Sequence, residues 1–427
     1  MQQLGVCLLT YFSLFVGNCI GSVNVHVKNT FIVDESGRYP NELLDPNFVE
    51  NLSKWGLNFV RLGMMWSGVE SEPNKYNVTY LNIMKNVIEL LESNHIFVLL
   101  DMHQDVLSSR TGAMIVYHHD PWPLQMAPNG SNWFLSYITE ACSHGFQCLY
   151  NNVGGAIESM SHFWRLVGIA GTTNLQPFYE KIAKAIRSVD DDTLIFYEPV
   201  TWGVRLNGKY FGTEFTHVPG GDNYRNRSVL SYHYYCIILS LESVPGNSTI
   251  LLFDRVLCDH IEESLLFRSV QNDLAQLDGS AFLTEFGGCD DSPTYDEQLD
   301  WGLGAADVFL QSWAFWGNSY NDQETIKRLS RVYARAIAGK PSTMEFIPAD
   351  RYFYLSYFID TNIKQPTEIF VSPLQYPKSS YNITVNNALK WRVNPTNRNI
   401  ILVEPSDQII NSKGQDVLGV FFIHPKV

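Results

Sequence analysis

At 427 residues, 45% of them hydrophobic, 13% aromatic and 17% charged, the chain carries enough apolar material for two cores, which excludes a disordered or fibrous protein. Its 44 acidic and 30 basic residues leave a formal charge of -14, so a phosphate backbone would be bound against the mean field and nucleic acid is excluded as a general partner. A mean hydropathy of -0.10 argues against a multispanning membrane protein.

The first element is an uncharged apolar stretch from Leu4 to Ile20, with small and polar residues around Gly17 to Ser22 and no charged residue before Lys28. It predicts a signal peptide over residues 1–21, since Thr10, Asn18 and so short a run suit a spanning helix poorly. The expected destination is therefore the outside of the cell, or a lysosomal or other lumen. Sequons at Asn51, Asn77, Asn129, Asn226, Asn247 and Asn382 fit that route. Cys7 and Cys19 would leave with the signal. Neighbour pairing of Cys142 with Cys148 and of Cys236 with Cys258 would close two loops and leave Cys289 as a buried thiol; the spacing suggests no zinc site.

Asp45 then predicts a helix cap, with Pro46 at the first position, Phe48, Leu52 and Trp55 on one face and Gly56 as the stop. A strand follows over 57–62, a helix over 79–93 and an apolar strand over 96–101. Further strands are expected over 194–197, 229–235, 281–284 and 309–315, separated by helical patterns such as 175–189 and 260–277. Apolar strands alternating with amphipathic helices predict an α/β fold, a parallel sheet covered by helices, over residues 22–340. From 341 to 427 the pattern changes to short alternating runs, 352–358, 367–371, 381–385, 390–393, 399–403 and 417–423, broken by Pro, Asn and Gly. These predict a small C-terminal β-sandwich.

Polar residues collect where the parallel strands end, which is where barrel enzymes carry their catalytic groups. His103 and Asp105 follow strand 96–101, His233 and Tyr235 end strand 229–235, Glu285 follows strand 281–284, and Trp316 ends the last strand. Arg61 lies near the end of strand 57–62, where its fork suits a rim carboxylate, and Trp66 lies just beyond it. Of Trp313 and Ala314, at most one can face inward. Taken one at a time, each of these residues has an ordinary structural use. Together, carboxylates, histidines and indoles at one rim form a sugar-binding constellation, because a carboxylate stabilises an oxocarbenium-like transition state and a pyranose face stacks on an indole.

At these residues the chain resembles the endoglycoceramidase group of glycoside hydrolase family 5. The matching stretches are Trp55-Gly-Leu-Asn-Phe-Val-Arg-Leu-Gly-Met-Met-Trp66 with Gly68-Val-Glu70, Leu99-Leu-Asp-Met-His-Gln-Asp-Val106, Asn174-Leu-Gln-Pro-Phe-Tyr179, Ile195-Phe-Tyr-Glu-Pro-Val-Thr-Trp202, Phe215-Thr-His-Val-Pro-Gly-Gly221, His233-Tyr-Tyr235, Phe282-Leu-Thr-Glu-Phe-Gly287 and Pro366-Thr-Glu-Ile-Phe370. The resemblance implies a (β/α)8 TIM-type barrel with a β-sandwich, and a retaining hydrolase that cuts the O-glycosidic bond between oligosaccharide and ceramide in glycosphingolipids or acts on another β-glycoside. It implies Glu285 as nucleophile, His103 and Asp105 as hydrogen-bonding partners of the sugar, His233 and Tyr235 as residues orienting the nucleophile, and Trp316 as a subsite floor. No cofactor or metal is implied. Expected partners are the substrate and, transiently, a membrane or micelle surface, with the chain itself a monomer.

Two departures accompany the resemblance. A retaining mechanism needs a second carboxyl to protonate the leaving oxygen, supplied in the family by the Glu of an Asn-Glu-Pro run ending the fourth strand; this sequence contains no Asn-Glu-Pro. Only Val167 to Asn174 separate a helical pattern over 155–166 from the next, too few for a loop, a strand and a second loop. Asp34-Glu-Ser-Gly-Arg38 likewise passes to Tyr39 without a strand, so the barrel is expected to lack its first and fourth strands. Glu198, in a Tyr-Glu-Pro run, falls in the stretch matching the fifth strand and is expected to be a structural rim residue or a secondary ligand rather than the missing acid; Glu70 is no better placed. The alternative to turnover is a secreted glycan- or glycolipid-binding protein.

Overall fold

The computed structural model describes residues 21–25, 45–64, 66–72, 74–101, 171–199, 204–206, 209–234, 263–287, 293–316, 322–410 and 417–426. Residues 1–20 of the predicted signal peptide, the helical pattern over 155–166 and the five cysteines expected to remain lie outside these residues.

The Asp45 cap forms as the sequence predicts: its Oδ1 accepts the Asn47 amide at 2.9 Å, and helix Pro46–Lys54 buries Val49 and Leu52. Gly56 then turns the chain at φ +82°, where an added Cβ would meet the Phe370 ring at 2.2 Å; both the backbone and the space require glycine. The catalytic-domain sheet consists of β1 (Gly21–Val25), β2 (Phe59–Gly63), β3 (Phe97–Asp101), β4 (Ile195–Tyr197), β5 (Ser228–Tyr234), β6 (Ser280–Phe286) and β7 (Ser312–Trp316). All pairings are parallel, in the order β3-β2-β1-β7-β6-β5-β4. That is the order of a cylinder opened between β3 and β4.

Two expectations need correction. The first strand is not lost: Gly21–Val25 bridges β2 and β7, with Val23 opposite both Val60 and Phe315. It directly follows the apolar leader and lies before Arg38, not after it. Only pairing on both sides distinguishes it from the tail of that leader. The C-terminal domain also starts before 341, since Tyr333–Ala336 pairs antiparallel with Thr367–Phe370 and belongs to a sandwich sheet. The fourth-strand expectation stands differently. Among the described residues no strand lies between β3 and β4, and Gly171–Leu175 forms one π-turn leading straight into helix Gln176–Arg187.

Alternation along each strand builds two layers. Phe59, Val229, Phe282 and Ala314, with Leu99 and Phe196 against them, fill the barrel interior. Val60, Leu62, Leu230, Tyr232, Leu283, Trp313 and Phe315 pack outward with the helices. Ala314 thus faces inward and Trp313 outward. The C-terminal domain is two four-stranded antiparallel sheets around a core of Phe353, Leu355, Tyr357, Ile401, Val403, Phe421 and others. Its seam with the barrel includes buried polar contacts: the Tyr333 hydroxyl donates to Gly56 O at 2.7 Å, and Arg331 Nη2 pairs with Asp307 Oδ2 at 2.5 Å.

Candidate active site

The apolar floor of the barrel interior gives way to polar side chains toward the C-terminal ends of the strands. Arg61 is two residues beyond Phe59 and shares its face, since the intervening Val60 and following Leu62 pack on the helices. Its guanidinium is almost fully buried and forks between two carboxylates: Nη1 lies 2.6 Å from Glu285 Oε2 and Nε lies 3.0 Å from Asp101 Oδ2. Burial disfavours the cation, but Asp101, Glu285 and Glu198 more than offset this and hold Arg61 above its ordinary value.

A bulge aims Glu285. Leu283 is opposite Tyr232 and Glu285 is opposite His233, so Thr284 is the extra residue on β6. Thr284 hydrogen-bonds with the Ser231 hydroxyl, and Phe286 returns to the outer core. Were the strand regular through Thr284, strict alternation would turn Glu285 toward the helices beside Leu283. Instead it is 2% exposed, with Arg61 on its Oε2 and His233 Nε2 at 3.8 Å from the same oxygen.

Glu198, the residue after β4, completes the cluster. Its Oε2 is 3.2 Å from His233 Nε2 and accepts from the Ser231 hydroxyl at 3.2 Å. Its backbone is clamped by Tyr179, whose hydroxyl accepts the Glu198 amide at 3.0 Å and donates to its carbonyl at 3.2 Å. Burial pushes the Glu198 carboxyl up, but His233 and Arg61 outweigh this and hold it below its ordinary value. For His233 the balance is opposite in sign. Burial would lower it, and Glu198 followed by Glu285 raise it above 6.5.

The fold therefore brings together Arg61, Glu198, His233 and Glu285. His103, Asp105 and Tyr235 lie outside the described residues; Trp316 ends β7, and its side chain is not described. Glu70 stands apart in a small hairpin, accepting the Asn74 amide at 2.6 Å. The sequence reading did not single out Asp101, Tyr179, Ser231 or Thr284. Asp101 had a local signal, as the carboxylate that ends the apolar strand 96–101; its meeting with Arg61 depends on the register that sets it opposite Gly63. Among the described residues no cluster of His, Cys, Asp and Glu suits a metal.

A buried carboxylate neutralised by a guanidinium, at the carboxyl end of a parallel barrel strand, is equipped to attack an electrophilic carbon or to stabilise an oxocarbenium ion. Comparison with known proteins agrees. Residues 23–322 match Cellulase (glycosyl hydrolase family 5), and residues 331–413 match the Glycoside hydrolase family 5 C-terminal domain. The chain is 29% identical to an endoglycoceramidase of Hydra vulgaris, covering 87% of this chain and 79% of that one, and 28% identical to an endoglycoceramidase of Cyanea nozakii, covering 86% and 84%. The Hydra alignment runs over 451 positions yet takes in only 87% of these 427 residues, about 371, so about 80 positions of it find no counterpart here. In fold the chain is similar to endo-glycoceramidase II from Rhodococcus sp., solved as a lactosyl-enzyme intermediate, with a TM-score of 0.66 and 18% identity over 96% of this chain and 98% of that one. The chain belongs to glycosyl hydrolase family 5, an O-glycosyl hydrolase family, and joins its (β/α) barrel to the family's C-terminal domain.

Proposed function

We propose that this chain is a glycosidase of the endoglycoceramidase type, acting with retention on the bond between oligosaccharide and ceramide in glycosphingolipids, with Glu285 as its nucleophile. The observation carrying this is the buried Glu285 held at 2.6 Å by Arg61 at the carboxyl end of β6. Glu285 attacks the anomeric carbon, the bond to the ceramide oxygen breaks, and water later cleaves the glycosyl ester to return the carboxylate. His103 and Asp105 would bind sugar hydroxyls, Tyr235 would orient the nucleophile, and Trp316 would stack on the sugar ring. The ceramide half of the substrate resides in a bilayer or micelle, so the reading includes transient contact with such a surface by a monomer that travels the secretory pathway.

The leaving ceramide oxygen needs a proton, and the sequence offers no Asn-Glu-Pro acid to give it. Loss of general acid help costs about 10² to 10⁴ in rate when the leaving group is poor. That observation favours a second reading, a glycolipid-binding protein with little turnover. Both readings are tested by incubating the chain with a 2-deoxy-2-fluoro-β-glycoside bearing a dinitrophenolate leaving group, which needs little protonation. A covalent adduct mapped to Glu285 supports the nucleophile; release of oligosaccharide from glycosphingolipid at a rate within tenfold of an intact relative would rule out the binding reading. No adduct at Glu285 would overturn the assignment of the nucleophile.

A further inference from the structure

Among the polar groups of the barrel interior that catalysis leaves unassigned, Glu198 is tied on three sides and touches the group that faces the nucleophile. Its backbone is fixed in both directions by the Tyr179 hydroxyl, its Oε2 accepts from Ser231, and the same Oε2 sits 3.2 Å from His233 Nε2. Ser231 in turn bonds to Thr284, the bulge residue that aims Glu285. A general acid would have to present a protonated oxygen to the substrate. Glu198 instead turns its carboxylate inward, onto the His233 ring and the Ser231 hydroxyl.

We propose that Glu198 is a positioning residue for the nucleophile: it holds His233 as an imidazolium against Glu285 Oε2, so that Glu285 lies between two cations, Arg61 and His233. This rests on the reading of Glu285 as nucleophile. Three described groups bear on His233. Glu198 at the end of β4 and Glu285 on β6 favour its charged form, and Arg61 on β2, itself paired with Asp101 on β3, opposes it. Of the two favouring carboxylates Glu198 is the nearer, at 3.2 Å against 3.8 Å. Burial works against the cation throughout. Removing the Glu198 charge therefore leaves His233 with the more distant carboxylate alone, and it becomes neutral at a lower pH.

Two measurements on the full chain test this. Nitrogen-15 NMR of labelled histidine follows the His233 titration directly and needs no turnover. The unmodified chain is expected to keep His233 charged above pH 6.5, Glu198→Gln to move its midpoint down, and Glu198→Asp to restore part of the shift. Labelling of Glu285 by the fluoro-glycoside gives a rate against pH, whose alkaline limb should move down in parallel, with a slowing of roughly tenfold or more near neutrality for a lost buried ion pair. Should Glu198→Gln not fold, Ser231→Ala loosens the carboxylate without removing it and should lower the His233 midpoint in the same direction. A His233 midpoint unmoved in the folded variants overturns the proposal. So does a Glu198→Gln chain that labels normally yet loses cleavage of substrates with poor leaving groups, because Glu198 would then be the acid. Failure of Glu285 to label in the unmodified chain would sink the nucleophile reading instead, and the titration would still decide the Glu198–His233 relationship.

Discussion

Arg61 and Glu285 are 224 residues apart in sequence and 2.6 Å apart in the barrel, Nη1 to Oε2, with both side chains almost completely withdrawn from solvent. Removing one partner of such a pair strands the other charge, which costs about 3–5 kcal/mol. Arg61→Met is expected to lower stability by that order and to slow labelling of Glu285. Arg61→Lys should fall between, because a single ammonium cannot fork to Glu285 and Asp101 together. Denaturant midpoints and labelling rates read both effects, and a lysine variant equal to the parent would refute the fork.

Glu285→Gln should abolish both adduct formation and any hydrolysis, since an amide cannot form the glycosyl ester. Glycosidase activity that survives in a preparation free of contaminating enzyme would show that another group attacks.

Leaving-group dependence should be steep. An aryl β-glycoside with a dinitrophenolate leaving group should be cleaved far faster, relative to an intact relative, than natural glycosphingolipid, by about the 10² to 10⁴ that general acid help supplies. Equal relative rates on the two substrates would mean that an acid is present after all.

Stability should have a plateau set by the Glu198–His233 pair. His233 titrates above 6.5 in the folded chain, so its contribution is complete below that value and is lost as pH rises through the raised one. Glu198 titrates below 4.5, so its contribution is complete above that value and is lost as pH falls through the depressed one. Unfolding midpoints measured against pH should lose the alkaline slope in His233→Phe and the acid slope in Glu198→Gln. Slopes shared unchanged by both variants would assign them to other groups.

Asp307, on helix Pro293–Val308, and Arg331 join the barrel to the sandwich, and Asp307 Oδ2 also accepts the Phe346 amide at 3.0 Å. Asp307→Ala should cost about 3–5 kcal/mol, while Asp307→Leu with Arg331→Met, which strands neither charge, should cost less than the single change. A double-mutant cycle by chemical denaturation checks the coupling; additive losses would show that the pair is not coupled.

Much of this protein can be read from its sequence because the signals are local. Apolar runs of strand length, the Asp45-Pro46 start and the alternating C-terminal segments each reflect propensities of a few neighbouring residues, and each became the expected element. The polar residues at strand ends, Arg61, Glu198, His233 and Glu285, could be nominated in the same way. Gly21–Val25 could not, because a five-residue strand beside an apolar leader has no local signature and is defined by the two strands that flank it.

What the sequence determined was thus the inventory: a helix-covered parallel sheet, a sandwich, a set of rim side chains and the absence of an Asn-Glu-Pro acid. What only the tertiary structure decided was which of those side chains meet. Thr284 looks like an ordinary strand residue, yet as a bulge it turns Glu285 into the barrel, and that depends on the register of β6 against β5. Glu198 looks like a stray copy of a catalytic motif, yet the pairing of β4 with β5 sets it against His233 and Ser231. Register and sheet closure are relations between segments tens to hundreds of residues apart, fixed by the packing of the whole barrel, so no local window of sequence contains them.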